Sequence, residues 1–223
     1  MCKRLIHLTS FILVLGFVVD VAEGTALVGH WKFDGNLNDS AGSANGTFNG
    51  GVPNYTVGKI DQALEFDGTD DYVNLPYTSD PIAYTISVWI KPAGMSPSSI
   101  VVRTSNAGPT THWSHQLRID SSGVIEHYAW DGSERRVLGT TAIEVDTWYS
   151  LVAVATNNGD VRLYVNGREE GNATTIGTLW ADGDRFLVGS NSGHGMGWFE
   201  GVVDDLRIYD TAMSAAEIAK IAS

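Results

Sequence analysis

The sequence predicts an all-β fold, a two-sheet antiparallel β-sandwich with one short C-terminal helix. Three observations predict it. Asp-Gly or Asn-Gly pairs begin at positions 34, 45, 49, 67, 131, 158, 166 and 182. Between them lie short runs rich in Val, Ile, Tyr, Trp and Thr, the pattern of strands joined by tight turns. Helix signals are confined to the last residues, and many short strands plus one terminal helix make a sandwich or jelly roll the leading architecture.

The elements follow in order. Residues 28–33 and 71–75 read as early strands. From Ile82 to Lys91, Ile82, Tyr84, Ile86, Val88 and Ile90 alternate with Ala83, Thr85, Ser87, Trp89 and Lys91, which describes a strand with one dry face. Strands are expected at 99–104, 115–120 and 124–130. Trp148 to Thr156 is apolar on both parities and reads as a central strand covered on both sides. In Asp160 to Gly167, Val161, Leu163 and Val165 face one way, and Asn166-Gly167 suits a two-residue hairpin turn in which both residues accept positive φ. Strands at 185–189 and 202–209 follow. Ser214-Ala215-Ala216-Glu217 then forms a capping box ahead of Ile218 and Ile221.

The 223 residues suit one such domain. Lys3 and Arg4 precede an apolar stretch from Phe11 to Val19, too short for the roughly 20 residues of a membrane-spanning helix. Ala22-Glu23-Gly24 places small residues at −3 and −1 of a signal-peptidase site. The expectation is therefore a signal peptide over 1–24, with cleavage after Gly24 or, as fallback, Ala26, and a domain over 25–223. An uncleaved anchoring segment is the alternative. The localisation implied is secreted or extracellular, periplasmic or cell-surface, without membrane insertion after cleavage. Cys2, the single cysteine, lies ahead of the apolar stretch, so the mature domain has no disulfide.

Net charge is −12, and the leader removes Lys3, Arg4, Asp20 and Glu23, two of each sign, leaving −12. Such a chain repels phosphate backbones and anionic membranes. Nucleic acid is excluded as a partner.

Several segments in order resemble the laminin-G-like jelly rolls of the concanavalin A-like lectin and glucanase superfamily: Gly29-His30-Trp31-Lys32-Phe33-Asp34-Gly35, Gly58 to Gly68 running into Asp70-Asp71-Tyr72-Val73, Thr85 to Pro92, Trp148-Tyr149, Leu163 to Gly167, and Phe199 to Tyr209. The resemblance spans nearly all of residues 27–222. It implies the sandwich fold, and a structural Ca2+ ion held by Asp34, the Asn36 carbonyl, the Gly68 carbonyl and Asp204, since calcium takes several oxygen ligands at once. Alternation places Asp204 on the parity of Val202, Leu206 and Ile208, and an inward carboxylate needs a cation or several donors. The competing reading makes Asp34 and Asp67 turn residues and gives Asp204 backbone N–H donors.

This fold hosts lectins, adhesion modules, glycosidases and spacers, so function must come from a site. No catalytic residue is assigned. Glu65-Phe66-Asp67 starts the carboxylate pattern of the glucanases, but Asp70 stands where the second glutamate belongs, and Glu126 has no second acid at matching spacing. His112 and His115 lack any surrounding zinc motif. Aromatic rings stack on sugars while Asp, Asn and Arg bridge hydroxyls. On that chemistry Trp113, Arg118, Tyr128, Trp130, Asn191, His194 and Trp198 are the candidate ligand-binding residues, with Trp180 nearby. The loops 104–115 and 190–198 form the expected working edge. Trp31, Trp89 and Trp148 occupy framework positions. The expected function is a secreted, non-catalytic recognition module for a glycan or an extracellular protein. A polysaccharide-active enzyme and a structural or adhesive spacer are the alternatives. The oligomeric state is not readable.

Overall fold

The computed structural model describes residues 27–76, 83–104, 113–179, 183, 185–189 and 196–222, with the backbone alone at 113–115. The expected leader, Trp180, Asn191, His194 and His112 lie outside the described residues.

Fifteen strands and one helix are described: β1 (Leu27–Trp31), β2 (Thr47–Asn49), β3 (Asn54–Val57), β4 (Gln62–Asp67), β5 (Tyr72–Pro76), β6 (Ala83–Pro92), β7 (Ser98–Thr104), β8 (Trp113–Ile119), β9 (Val124–Trp130), β10 (Glu134–Ala142), β11 (Tyr149–Thr156), β12 (Asp160–Val165), β13 (Arg168–Thr175), β14 (Arg185–Val188), β15 (Glu200–Tyr209) and α1 (Ala215–Ile221). They form two antiparallel sheets. The eight-stranded one runs β13-β12-β11-β6-β15-β4-β3, with β1 added on β15, and the seven-stranded one runs β10-β9-β8-β7-β14-β5-β2.

The inner faces meet in one core. The eight-stranded sheet contributes Tyr84, Ile86, Val88 and Ile90 from β6, Val161, Leu163 and Val165 from β12, and Val203, Leu206 and Ile208 from β15. The seven-stranded sheet contributes Val73, Leu75, Val101, Leu117, Ile119, Ile125, Ala129, Phe186 and Val188. The dry face expected of β6 is the even-numbered one. Its other face is also covered, since Thr85, Ser87 and Trp89 are buried. Thr85 Oγ1 donates to the Thr211 carbonyl and accepts from Met213 N–H. These bonds bring the chain ahead of α1 down onto the sheet, where Met213 and Ile218 pack on Val152, Val154, Tyr164 and Tyr209. The capping box forms as expected, with Ser214 as N-cap and Glu217 at N3.

The Asn166-Gly167 turn holds both residues at positive φ, 50° and 75°. β11 is buried along nearly its whole length, as its two-sided apolar sequence requires. β2, β3, β4, β10 and β13 have no counterpart in the sequence reading. All but β4 are edge strands, and β10 and β13 carry few apolar residues.

One expectation about β15 is corrected. Asp204 does not share the core face of Leu206 and Ile208. The pairing of β15 with β6 slips between Asp204 and Arg207, and Asp205 adopts a left-handed φ of 49°. The bulge inverts parity. Val203, Leu206 and Ile208 therefore point inward, while Val202 and Asp204 point out of the sandwich. The bulge falls where β15 changes neighbour, pairing with β4 over Glu200–Val203 and with β1 from Leu206 onward.

Candidate functional site

Register across the seven-stranded sheet aligns one residue from each strand in a transverse row. Arg136 pairs with Tyr128, Tyr128 with Gln116, Gln116 with Val102, Val102 with Leu187, Leu187 with Asn74, and Asn74 with Thr47. Leu187 and Asn74 have core residues on both sides in their own strands and so point outward, and residues paired directly across strands share a face, which carries that direction along the row. Val102 and Leu187 form its apolar middle, buried even though they face away from the core. Asn74 and Gln116 flank them. Three inter-strand steps separate these two, roughly 14 Å.

Three buried polar atoms on this face have no hydrogen-bond partner: Asn74 Oδ1, Gln116 Oε1 and Arg185 Nε. Gln116 is 0% exposed, and its amide nitrogen donates to Ser99 Oγ. Arg185 opens β14 beside Thr104 and Pro76, two residues from the row. A buried polar atom without a partner costs roughly 1–3 kcal/mol. All three belong to one face of the sheet, beside the buried Val102 and Leu187.

Rows on either side differ in character. Toward the Ser98 end of β7, Glu126 of β9 faces Arg118 of β8. Arg118 donates to its two carboxylate oxygens at 3.1 and 2.9 Å, and Arg136 at 2.5 and 2.8 Å. Glu126 is fully buried by these two guanidiniums. Trp198 lies at this end too, its ring 5.9 Å from that of Tyr72. Both rings are half-buried.

The residues expected to bind ligand divide accordingly. Trp198 is part-exposed on the face, and Trp130 is part-buried at the opposite end. Arg118 is committed to Glu126 and lies 5.4 Å from the Tyr128 ring centroid. Tyr128 is 1% exposed, and burial first of all pushes its phenol pKa well up. Both serve the sheet more than a ligand. Trp113 begins β8, with its side chain outside the described set. Of the loops expected to form the working edge, 105–112 and 190–195 lie outside the described residues. Gly197 bridges Ser98 at one end of β7, whereas Trp113 pairs with Thr104 at the other. Six residues of strand, roughly 20 Å, separate them. Tyr72, Asn74, Gln116 and Arg185 were missed. Tyr72-Val73-Asn74-Leu75 does carry the alternating signal, but only register shows that Asn74 and Gln116 share a row.

The expected metal ligands also separate. Asp34 Oδ1 accepts Gln62 N–H at 3.0 Å, and Asp204 Oδ2 accepts Ile60 N–H at 2.9 Å. Both carboxylates thus hold the segment from Gly58 to Gln62. A Cβ at Gly58 would stand 2.7 Å from Asp204 Oδ2, so only glycine lets the segment close this tightly. Lys59 Nζ completes the cover, 4.5 Å from the Trp89 ring centroid. Asp204 is 1% exposed and its Oδ1 has no partner. Burial, with Asp205 and Asp34 nearby, pushes its pKa up to about 6 against the bonds from Ile60 and Lys59. Asn36 Nδ2 donates to the Asp34 carbonyl and its Oδ1 accepts Asn38 N–H. Gly68 lies elsewhere, against Glu200. Since Asp204 is four residues further along β15, roughly 13 Å separates them. The four cannot form one coordination shell. The Gly68 turn carries its own acids, Asp67, Asp70 and Asp71, whose oxygens lie within 4.8 Å of one another. Its Asp67 Oδ1 accepts Thr69 N–H at 2.8 Å, as a turn carboxylate does.

Chemically, the outer face of the seven-stranded sheet combines unpartnered polar atoms with a half-buried aromatic pair. Its one central carboxylate, Glu126, spends both oxygens on arginines, and no free carboxylate pair stands on the row among the described residues.

A laminin G family model described as the Concanavalin A-like lectin/glucanases superfamily matches residues 67–219, well over half of the chain. The chain belongs to this superfamily. Among solved structures, this superfamily member is similar to domain 4 of AbnA, a GH43 extracellular arabinanase from Geobacillus stearothermophilus, in complex with arabinotriose. The TM-score is 0.72 at 24% identity, covering 88% of this chain and 98% of that one. It is also similar to the binding domain of Paraclostridial Mosquitocidal Protein 1, with TM-score 0.72, 13% identity, and coverage of 88% and 52%. The binding domain of botulinum neurotoxin DC in complex with rat synaptotagmin II gives 0.64, 12%, 88% and 51%. The chain thus spans about half the length of the two toxin domains. These likenesses show the fold. No curated protein matches the chain at the sequence level. No described helix is long and apolar enough to cross a membrane.

Proposed function

We propose that this domain is a non-catalytic carbohydrate-recognition module that works outside the cell and binds on the outer face of its seven-stranded sheet. The observation that carries the reading is the transverse row with its unpartnered atoms. Asn74 Oδ1 and Gln116 Oε1 are acceptors without donors, and sugar hydroxyls are donors. The half-buried Tyr72–Trp198 pair offers a stacking platform at the same sheet's end. The 14 Å span suits a short oligosaccharide better than one ring. The extracellular Geobacillus domain seen with arabinotriose supports the carbohydrate class and supplies the first probe.

The test is a glycan array followed by calorimetry on its hits, with arabino-oligosaccharides included. Binding that falls about tenfold or more in Trp198→Ala and in Gln116→Ala is expected. Absence of binding across neutral and acidic glycans would leave the spacer reading in its place. Release of reducing sugar would instead establish an enzyme.

A further inference from the structure

We infer that the glycan held on this face is acidic, a uronic-acid-bearing chain whose carboxylate docks on Arg185; the inference rests on the carbohydrate reading above. Arg185 is the unusual cation of this molecule. Arg118, Arg135, Arg136, Arg162 and Arg207 each pair with a carboxylate. Arg103 donates to the Gly183 carbonyl, and Arg168 stands exposed in water. Arg185 is neither exposed nor paired among the described residues, and its Nε is buried without a partner. This occurs in a chain with 26 acidic and 14 basic residues. Carboxylates are plentiful, yet among the described residues none is set against this guanidinium.

The neighbours define what would satisfy it. β14 turns Phe186 and Val188 into the core, so Arg185 and Leu187 point out together. Arg185 is one step along its strand from the row, about 7 Å from Leu187 and diagonal to Asn74. The face therefore presents two orphaned acceptors, Asn74 Oδ1 and Gln116 Oε1, and one orphaned charged donor. A neutral sugar supplies hydroxyls for the first two. A uronate supplies hydroxyls for the acceptors and a planar carboxylate for the guanidinium, whose fork binds it through two parallel N–H bonds. The apolar Val102–Leu187 floor keeps water from competing, which strengthens a charge-assisted bond. Selectivity follows, because a site built around an unpaired guanidinium loses most when the anion is missing.

The experiment is calorimetry in EDTA with the full chain against oligogalacturonate, alginate oligosaccharides and glucuronoxylan fragments, each beside its carboxyl-reduced counterpart of equal length. At least one acidic oligomer is expected to bind roughly 10- to 100-fold tighter than its reduced form. Arg185→Gln is expected to erase that difference. Arg185→Lys, which keeps the charge without the fork, is expected to restore part of it. Melting midpoints of both variants establish that they fold. Equal affinity for acidic and reduced forms, or an unchanged preference in Arg185→Gln, overturns the inference and leaves the carbohydrate reading intact. Failure of every acidic and neutral oligomer to bind overturns the carbohydrate reading itself.

Discussion

Tyr84 Oη and His127 Nε2 stand 2.8 Å apart in the middle of the sandwich, joining the two sheets through their inner faces. The other ring nitrogen, Nδ1, lies 2.8 Å from the Arg162 carbonyl. A carbonyl only accepts, so Nδ1 carries the hydrogen and Nε2 accepts from the tyrosine hydroxyl. The imidazole is fully buried, and burial holds its pKa down to about 4.

The sign of the pH effect follows. The fold prefers neutral His127, so this contribution is complete above about 6.5 and is lost as pH falls toward 4. Its size is on the order of 2–3 kcal/mol. Chemical denaturation of His127→Gln between pH 7 and 4 is expected to lack this acid-side loss. A slope identical to the wild type would contradict the buried neutral imidazole.

Asp204 works in the opposite direction over an overlapping window. Its folded pKa is raised to about 6, so its contribution is complete below about 3.8 and is lost as pH rises through 6. Asp204→Asn, which imitates the protonated acid under the Gly58–Asp61 segment, is expected to gain on the order of 1–3 kcal/mol at pH 8 and little at pH 4. Thermal melts in EDTA measure it. Repeating them in calcium decides the metal expectation at this carboxylate. A midpoint raised by calcium in the wild type but not in Asp204→Asn places an ion there, and equal midpoints leave the proton as its compensator.

Glu126 anchors two arginines from neighbouring strands. Glu126→Gln is expected to cost about 2–3 kcal/mol, less than a wholly enclosed ion pair because Arg136 is 41% exposed. It should also loosen β10, the edge strand that Arg136 ties down. Hydrogen exchange faster at 134–138 than in the wild type checks this, and unchanged exchange would count against it.

The fold was legible where burial writes a pattern into one strand. β6 alternates, β11 is apolar on both parities, and α1 carries its capping box in four consecutive residues. Edge strands β10 and β13 were not legible, because their outward faces impose no apolar period. Asp204 was read onto the wrong face because the bulge at Asp205 inverts parity, and nothing local marks a bulge that serves a change of partner strand. The candidate site was legible in type and not in place. Trp198 was singled out by its chemistry, whereas Asn74, Gln116 and Arg185 belong together only through pairings across β5, β14, β7 and β8. Composition suggested the chemistry of the proposed surface, and cross-strand register is what groups its residues.

The most direct test of that location is amide chemical-shift mapping of the domain titrated with an oligosaccharide identified on the array. Shifts concentrated at Thr47, Asn74, Val102, Gln116 and Leu187, and abolished in Trp198→Ala, are the predicted result. Shifts confined to the opposite sheet, around Arg162, Tyr164 and the start of α1, would contradict it.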